Sequence, residues 1–328
     1  MINLLLVHVG WLLHIVICFY VIRPIRYIVI RGILALIPCI ILTNSGARHL
    51  PQHHICSVFA VAIYWMTSIR LIHLTIVSRN KYLALSSFIF KCLWIVFPVV
   101  PCQPTDKDWP IILYFLAGIL KFIINCWLHR WLLICEPNDS YQRVFIYFLS
   151  ILTFSYVIDI QTVFMRIITR DKYTFQSLNN FPFSSRSLRE FWGRRYNQII
   201  GRIFHESIFQ PLNSYMSSRS VVALITFIIS GLLHVHIAIV VLNDVPSVLP
   251  TFACFFLNGI ACCVERFLPN KLPPILEWLI THCVLLITAP MCLGSFARDQ
   301  SVFFGIDALS SYVDQWILVL PIPTICPK

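Results

Sequence analysis

The chain of 328 residues is 58% hydrophobic and 12% charged, with a mean hydropathy of +0.79. An ordinary soluble domain does not reach such values. Twenty-five Lys and Arg against 14 Asp and Glu leave a net charge of +11, which suits anionic headgroups or a phosphate-bearing substrate and does not require nucleic acid.

Apolar runs recur from end to end without a soluble break. Residues 1–328 are therefore expected to form a single membrane-embedded domain, an all-α polytopic integral membrane helical bundle of about 8–10 transmembrane helices. In chain order the runs are 3–22, 28–43, 55–77, 83–100, 111–134, 144–165, 221–241, 248–265, 275–294 and 301–318. Most can cross, since a span needs ~20 residues at ~1.5 Å rise each. Two are weaker: 83–100 carries Lys91 and ends among prolines, and 301–318 carries Asp307 and Asp314. The first run has no basic stretch before it and no small-residue cleavage site after it, so it reads as the first helix and not as a removable signal peptide.

Lys and Arg collect in short cytosolic loops. With a lumenal amino terminus and 83–100 lying in the interface, the cytosolic side receives Arg23, Arg26, Arg79, Lys81, Lys91, Lys107, nine basic residues from Arg166 to Arg219, Arg266, Lys271 and Lys328. The lumenal side receives only Arg48, Arg143 and Arg298. A crossing at 83–100 would separate the basic segments, so nine crossings and one interfacial segment are expected. The thirteen cysteines show no CxxC pair and no Cys/His zinc spacing. They read as small apolar fillers in reduced surroundings, no metal site is expected, and no internal repeat stands out.

The densest cluster of charge and aromatics is SLREFWGRRYNQIIGRIFHESIFQPL, residues 187–212. It lies within the most motif-bearing part, 166–241, in a basic segment at 186–212. Ser187 followed by Glu190 is a capping-box pattern that starts a helix. Leu188, Phe191, Trp192, Ile199, Ile200, Ile203 and Phe204 then cluster on one side at about 100° per residue. An amphipathic helix on the cytosolic membrane face, with its arginines toward phosphates, is the plainest reading. Asn197 falls opposite that apolar side, between Gly193 and Gly201. Two helix glycines at ~1 kcal/mol each suggest close approach by a ligand or another chain.

SGLLHVHIAIV, residues 230–240, places imidazoles inside the span expected at 221–241. Intramembrane histidine is costly and marks a functional site by default, although His14, His73, His129 and His282 also sit in apolar runs. His234 stands out because Ser230, Gly231 and Ala238 share its face and leave room beside it, whereas His236 points nearly the other way. Thirteen residues into the span, His234 is about 20 Å along the axis.

Together, S-L-R-E-F-W-G-R-R-Y-N at 187–197, F-Q-P-L at 209–212 and S-G-L-L-H at 230–234 resemble the wax-synthase branch of the membrane-bound O-acyltransferases. About 50 residues match specifically, within a span layout that agrees over nearly the whole chain. The resemblance implies an acyl-CoA:alcohol O-acyltransferase of the endoplasmic reticulum membrane, making wax esters, with His234 as base and Asn197 as its polar partner. The family often has an acidic residue where Val235 stands. Trp192, Arg194, Arg195, Arg202 and Ser230 are the implied substrate-binding residues, although headgroup contact explains the arginines equally well. Acyl-CoA is then a co-substrate, no cofactor is required, membrane lipids are partners, and a homo-oligomer is compatible. A short-chain acyl donor with a sterol or terpenoid acceptor, a transporter, and an inactive lipid-binding scaffold are the alternatives.

Overall fold

The computed structural model describes residues 2–78, 83–102, 109–135, 141–267 and 272–298. The run expected at 301–318 lies outside them, as do Arg79, Lys81, Lys107, Lys271 and Lys328. The fold is an all-α polytopic bundle with eight helices long and apolar enough to cross a membrane among the described residues. Helix α1 (Ile2–Ile17) continues as a π-helical turn, Cys18–Ile22. It is followed by α2 (Ile28–Arg48), α3 (Ile55–Ile76), the short α4 (Leu85–Cys92), α5 (Ile111–Ile134), α6 (Tyr141–Thr153) and α7 (Tyr156–Thr169). Three short helices come next, α8 (Leu188–Glu190), α9 (Gln198–Phe204) and α10 (Gln210–Tyr215). The long α11 (Arg219–Val240), α12 (Val248–Val264) and α13 (Pro274–Arg298) complete the bundle.

Residues 83–100 do not cross. The eight residues of α4 span about 12 Å, well short of the ~30 Å hydrocarbon core. Its far end also stays with the elements it left: Arg202 lies over the Trp94 ring at 5.2 Å, and one turn later Glu206 pairs with Arg70 of α3 at 2.7 Å. Beyond α4, β1 (Val99–Pro101) forms a two-stranded antiparallel sheet with β2 (Tyr173–Phe175), joining the loops that flank α5 to α7. The opposite ends are tied to one another as well. Asp244 pairs with Arg298 at 2.7 Å, and the His53 amide donates to the Val241 carbonyl at 2.8 Å.

Two expectations are corrected at that opposite face. Arg143, expected in a lumenal stretch between runs, lies in α6 and is 1% exposed. It donates to the Leu132, Cys135 and Ala297 carbonyls, because the last carbonyls of α5 and α13 lack helical partners and a buried guanidinium must satisfy its donors. Cys135 is disulfide-bonded and so is not a reduced filler.

Candidate active site

A cavity of 880 Å³ opens between α3, α6, α9, α11, α12 and α13. Every third or fourth residue of α11 from Arg219 to Ile237 lines it, including Ala223, Phe227, Ser230 and His234. This is the helical repeat of one face, and it carries the wall about 27 Å along the axis. Asn197, Trp192, Gly193 and Gly201 line the same cavity.

The single amphipathic helix expected from residue 187 is instead broken. Ser187 does cap α8, accepting from the Glu190 amide at 3.0 Å, but the Glu190 carboxylate accepts from the Arg186 amide and not from that of Ser187. The chain then makes a π-helical turn, Phe191–Arg195, and stops. Asn197 sits at φ 42°, ψ 58°, the left-handed conformation that Asn tolerates better than most residues, and caps α9 by accepting from the Ile200 amide at 3.4 Å. Two hydrogen bonds hold the turn: the Asn197 amide donates to Asn179 Oδ1 at 3.0 Å and the Gln198 amide to the Leu178 carbonyl at 2.7 Å. Because Asn197 Oδ1 is used as a cap, its Nδ2–H donors remain for a ligand.

The segment also packs into the bundle and does not lie on its surface. Ile203, Phe204 and Ile208 share a buried core with Val61 and Met66 of α3 and Leu233 and Ile237 of α11. The glycines do not admit a neighbouring helix. A Cβ on Gly193 would meet open space, and one on Gly201 would make only ordinary contact with the Trp192 carbonyl at 3.8 Å.

His234 Nδ1 is 2.8 Å from the Ser230 carbonyl. A carbonyl only accepts, so Nδ1 carries the proton and Nε2 holds the free lone pair. The ring stacks on Phe255 of α12, centroids 4.1 Å apart. Gly231 makes this possible: a Cβ there would lie 3.2 Å from Phe252 and 3.3 Å from Phe255. Gly231 and Ala238 are thus filled by packing rather than left open, and the room beside His234 is on the Ser230 side.

The structure brings His234, Asn197, Trp192 and Ser230 to one cavity and leaves Arg194, Arg195 and Arg202 off it. Arg194 is exposed. Arg195 pairs with Glu190 at 2.6 Å and donates to Ser184 Oγ; Arg202 pairs with Glu206 at 2.8 Å. Burial pushes the Glu206 carboxyl up, but Arg202 and Arg70 outweigh it and hold it below its usual 4.5. Glu190 is likewise lowered, with burial opposed by the Arg186 amide and by Arg195. Arg195 and Arg202 are committed to holding the segment in shape.

Three others line the cavity instead: Arg189, Arg219 and Arg266. Arg189 bonds Glu265 at 3.1 Å, and Arg266 bonds Ser220 at 3.3 Å. They converge where α11 begins and α12 ends, about 22 Å along α11 from His234. Spacing could not bring them together, because they come from three separate stretches. Charge at a span boundary was the one available signal.

Residues 175–257 match the model of the membrane bound O-acyl transferase family. Over that segment the chain is similar to the membrane-bound O-acyltransferases. The match contains Trp192, Asn197, Ser230 and His234 and ends one residue before Asn258. Similar proteins of Arabidopsis thaliana include the probable long-chain-alcohol O-fatty-acyltransferase 8, 30% identical over 33% of this chain and 35% of the relative. The putative long-chain-alcohol O-fatty-acyltransferase 10 is 26% identical over 41% of this chain and 43% of the relative. The probable long-chain-alcohol O-fatty-acyltransferase 2 is 25% identical over 88% of each. The chain thus spans less than half the length of the first two and most of the third.

Proposed function

We propose that this chain is an acyl-CoA-dependent O-acyltransferase of the endoplasmic reticulum membrane that esterifies a long-chain lipophilic alcohol to a wax ester. The observation that carries the reading is His234: one ring nitrogen is bound to the Ser230 carbonyl, and the other is left as a base on a long apolar cavity. The names of the similar proteins support a long-chain alcohol as acceptor.

In this reading the alcohol oxygen attacks the thioester carbonyl as its proton passes to His234 Nε2. The tetrahedral oxyanion accepts a hydrogen bond from Asn197 Nδ2, a donor that brings no charge into a dry site. Collapse breaks the carbon–sulfur bond, and the CoA thiolate leaves with the proton held by the imidazolium. Arg189, Arg219 and Arg266 meet the CoA phosphates at the face expected to be cytosolic, with the pantetheine arm reaching along α11 to His234. The apolar walls of α6 and α13 hold the chains.

Purified protein incubated with labelled acyl-CoA and a panel of long-chain, sterol and terpenoid alcohols tests this. Ester formed with long-chain alcohols supports the reading, ester from sterols or terpenoids alone replaces the acceptor, and no ester with any alcohol overturns it.

A further inference from the structure

Asn258 is 1% exposed, on α12, and every polar atom of its amide is used. Its Oδ1 accepts from Trp192 Nε1 at 3.2 Å, and its Nδ2 donates to the Cys254 carbonyl at 2.9 Å and to Thr288 Oγ1 of α13 at 3.0 Å. A side-chain amide buried between spans is costly unless such partners are found. Here it ties together the segment bearing Asn197, α12 and α13. A leucine would fill a similar volume but could not hold the indole.

The indole stands at the junction of the site. Its ring meets Tyr196 edge-on at 5.4 Å, the residue before the left-handed Asn197, and Phe255 at 6.0 Å, the ring on which His234 stacks. Phe255 and Asn258 are three residues apart on α12 and share a face. One hydrogen bond thus sets the rotation of a ring that touches both halves of the proposed machinery.

We propose that Asn258 is a positioning residue for His234 and Asn197, acting through Trp192; this rests on the acyl-transfer reading above. Asn258→Leu is expected to lower kcat ~10- to 100-fold, the scale of loss for a misplacement of about 1 Å, with little change in KM for acyl-CoA. Trp192→Phe, which keeps a ring and removes the donor, should lower kcat similarly. The double variant should be no worse than the poorer single variant, since both remove one bond. Asn258→Asp should recover most activity, because a buried carboxyl takes up a proton and then offers one acceptor and one donor.

A second readout needs no turnover. Diethyl pyrocarbonate modification followed by peptide mass spectrometry reports how accessible each imidazole is. His234 should label faster in Asn258→Leu and at the wild-type rate in Asn258→Asp, with His205, also on the cavity, as internal control. Unchanged His234 labelling in Asn258→Leu, wild-type kcat in that variant, or independent losses in the double variant would each overturn the proposal. A wild-type protein that makes no ester sinks the acyl-transfer reading alone, since the labelling rates still decide whether Asn258 holds His234.

Discussion

The two sides of α11 carry the same side chain in opposite circumstances. His234 lines the cavity, spends Nδ1 on its own backbone and keeps the Nε2 lone pair. His236, about 200° further round the helix, lies against α3, where its Nδ1 accepts from Trp65 Nε1 at 2.9 Å. That bond forces the proton onto Nε2, which is buried without a partner among the described residues. One imidazole keeps a lone pair on the cavity, and the other is a packed acceptor with its lone pair spent. Depth in the membrane and chemistry are shared, so rotation and hydrogen bonding are what set the two imidazoles apart.

The comparison breaks most easily at His234. His234→Ala should cost ~10²- to 10⁴-fold in kcat, the usual worth of a general base. Next, Asn197→Ala should cost ~10²- to 10³-fold, as for a lost oxyanion donor. Because alanine also resists the left-handed backbone, Asn197→Gly is the sharper variant: it keeps that conformation and should lose turnover all the same. Arg219→Gln and Arg266→Gln should raise KM for acyl-CoA more than they lower kcat, whereas Arg195→Gln and Arg202→Gln should leave KM unchanged and lower the melting temperature. Melting curves against pH should show the Glu206 contribution. Its folded-state pKa is depressed, so its stabilisation is full above the ordinary 4.5 and is lost as pH falls through the folded value; Glu206→Gln should flatten that acid limb. The smallest effect on activity belongs to His236→Ala. Turnover should stay near wild type while stability falls by ~1–3 kcal/mol, the cost of leaving a buried Trp65 N–H unmet.

Hydropathy made the spans legible, and the weak run at 83–100 was legible as non-crossing because a crossing there would have separated the basic segments. That His234 and Ser230 line one cavity could be read because the two share a helical face, where periodicity speaks. Asn197 lines the same cavity, but not by the geometry expected of it. A uniform 100° repeat placed it on the back of one helix, but the helix breaks there, and the signal was the tolerance of Asn for positive φ. Arg195 and Arg202 show the opposite failure: charge density pointed to phosphate, yet Glu190 and Glu206 at local spacing already claim them. Asn258 and the Arg189, Arg219 and Arg266 trio were out of reach, since their partners lie tens of residues away and only packing joins them.

An engineered glycosylation acceptor tests the sidedness on which the proposed donor entry depends. Placed at 242–246 it should be modified in microsomes, and placed at 176–186 it should not; the reverse would put the arginine mouth in the lumen.

The central claim, that His234 and not its neighbour takes the alcohol proton, is tested most directly in a single turnover. Wild type, His234→Ala and His236→Ala, each matched for monodispersity in detergent, are loaded with labelled acyl-CoA and mixed with a long-chain alcohol. All three should hold the donor, and only wild type and His236→Ala should yield labelled ester. Ester from well-folded His234→Ala at the wild-type rate, or none from well-folded His236→Ala, would contradict the account.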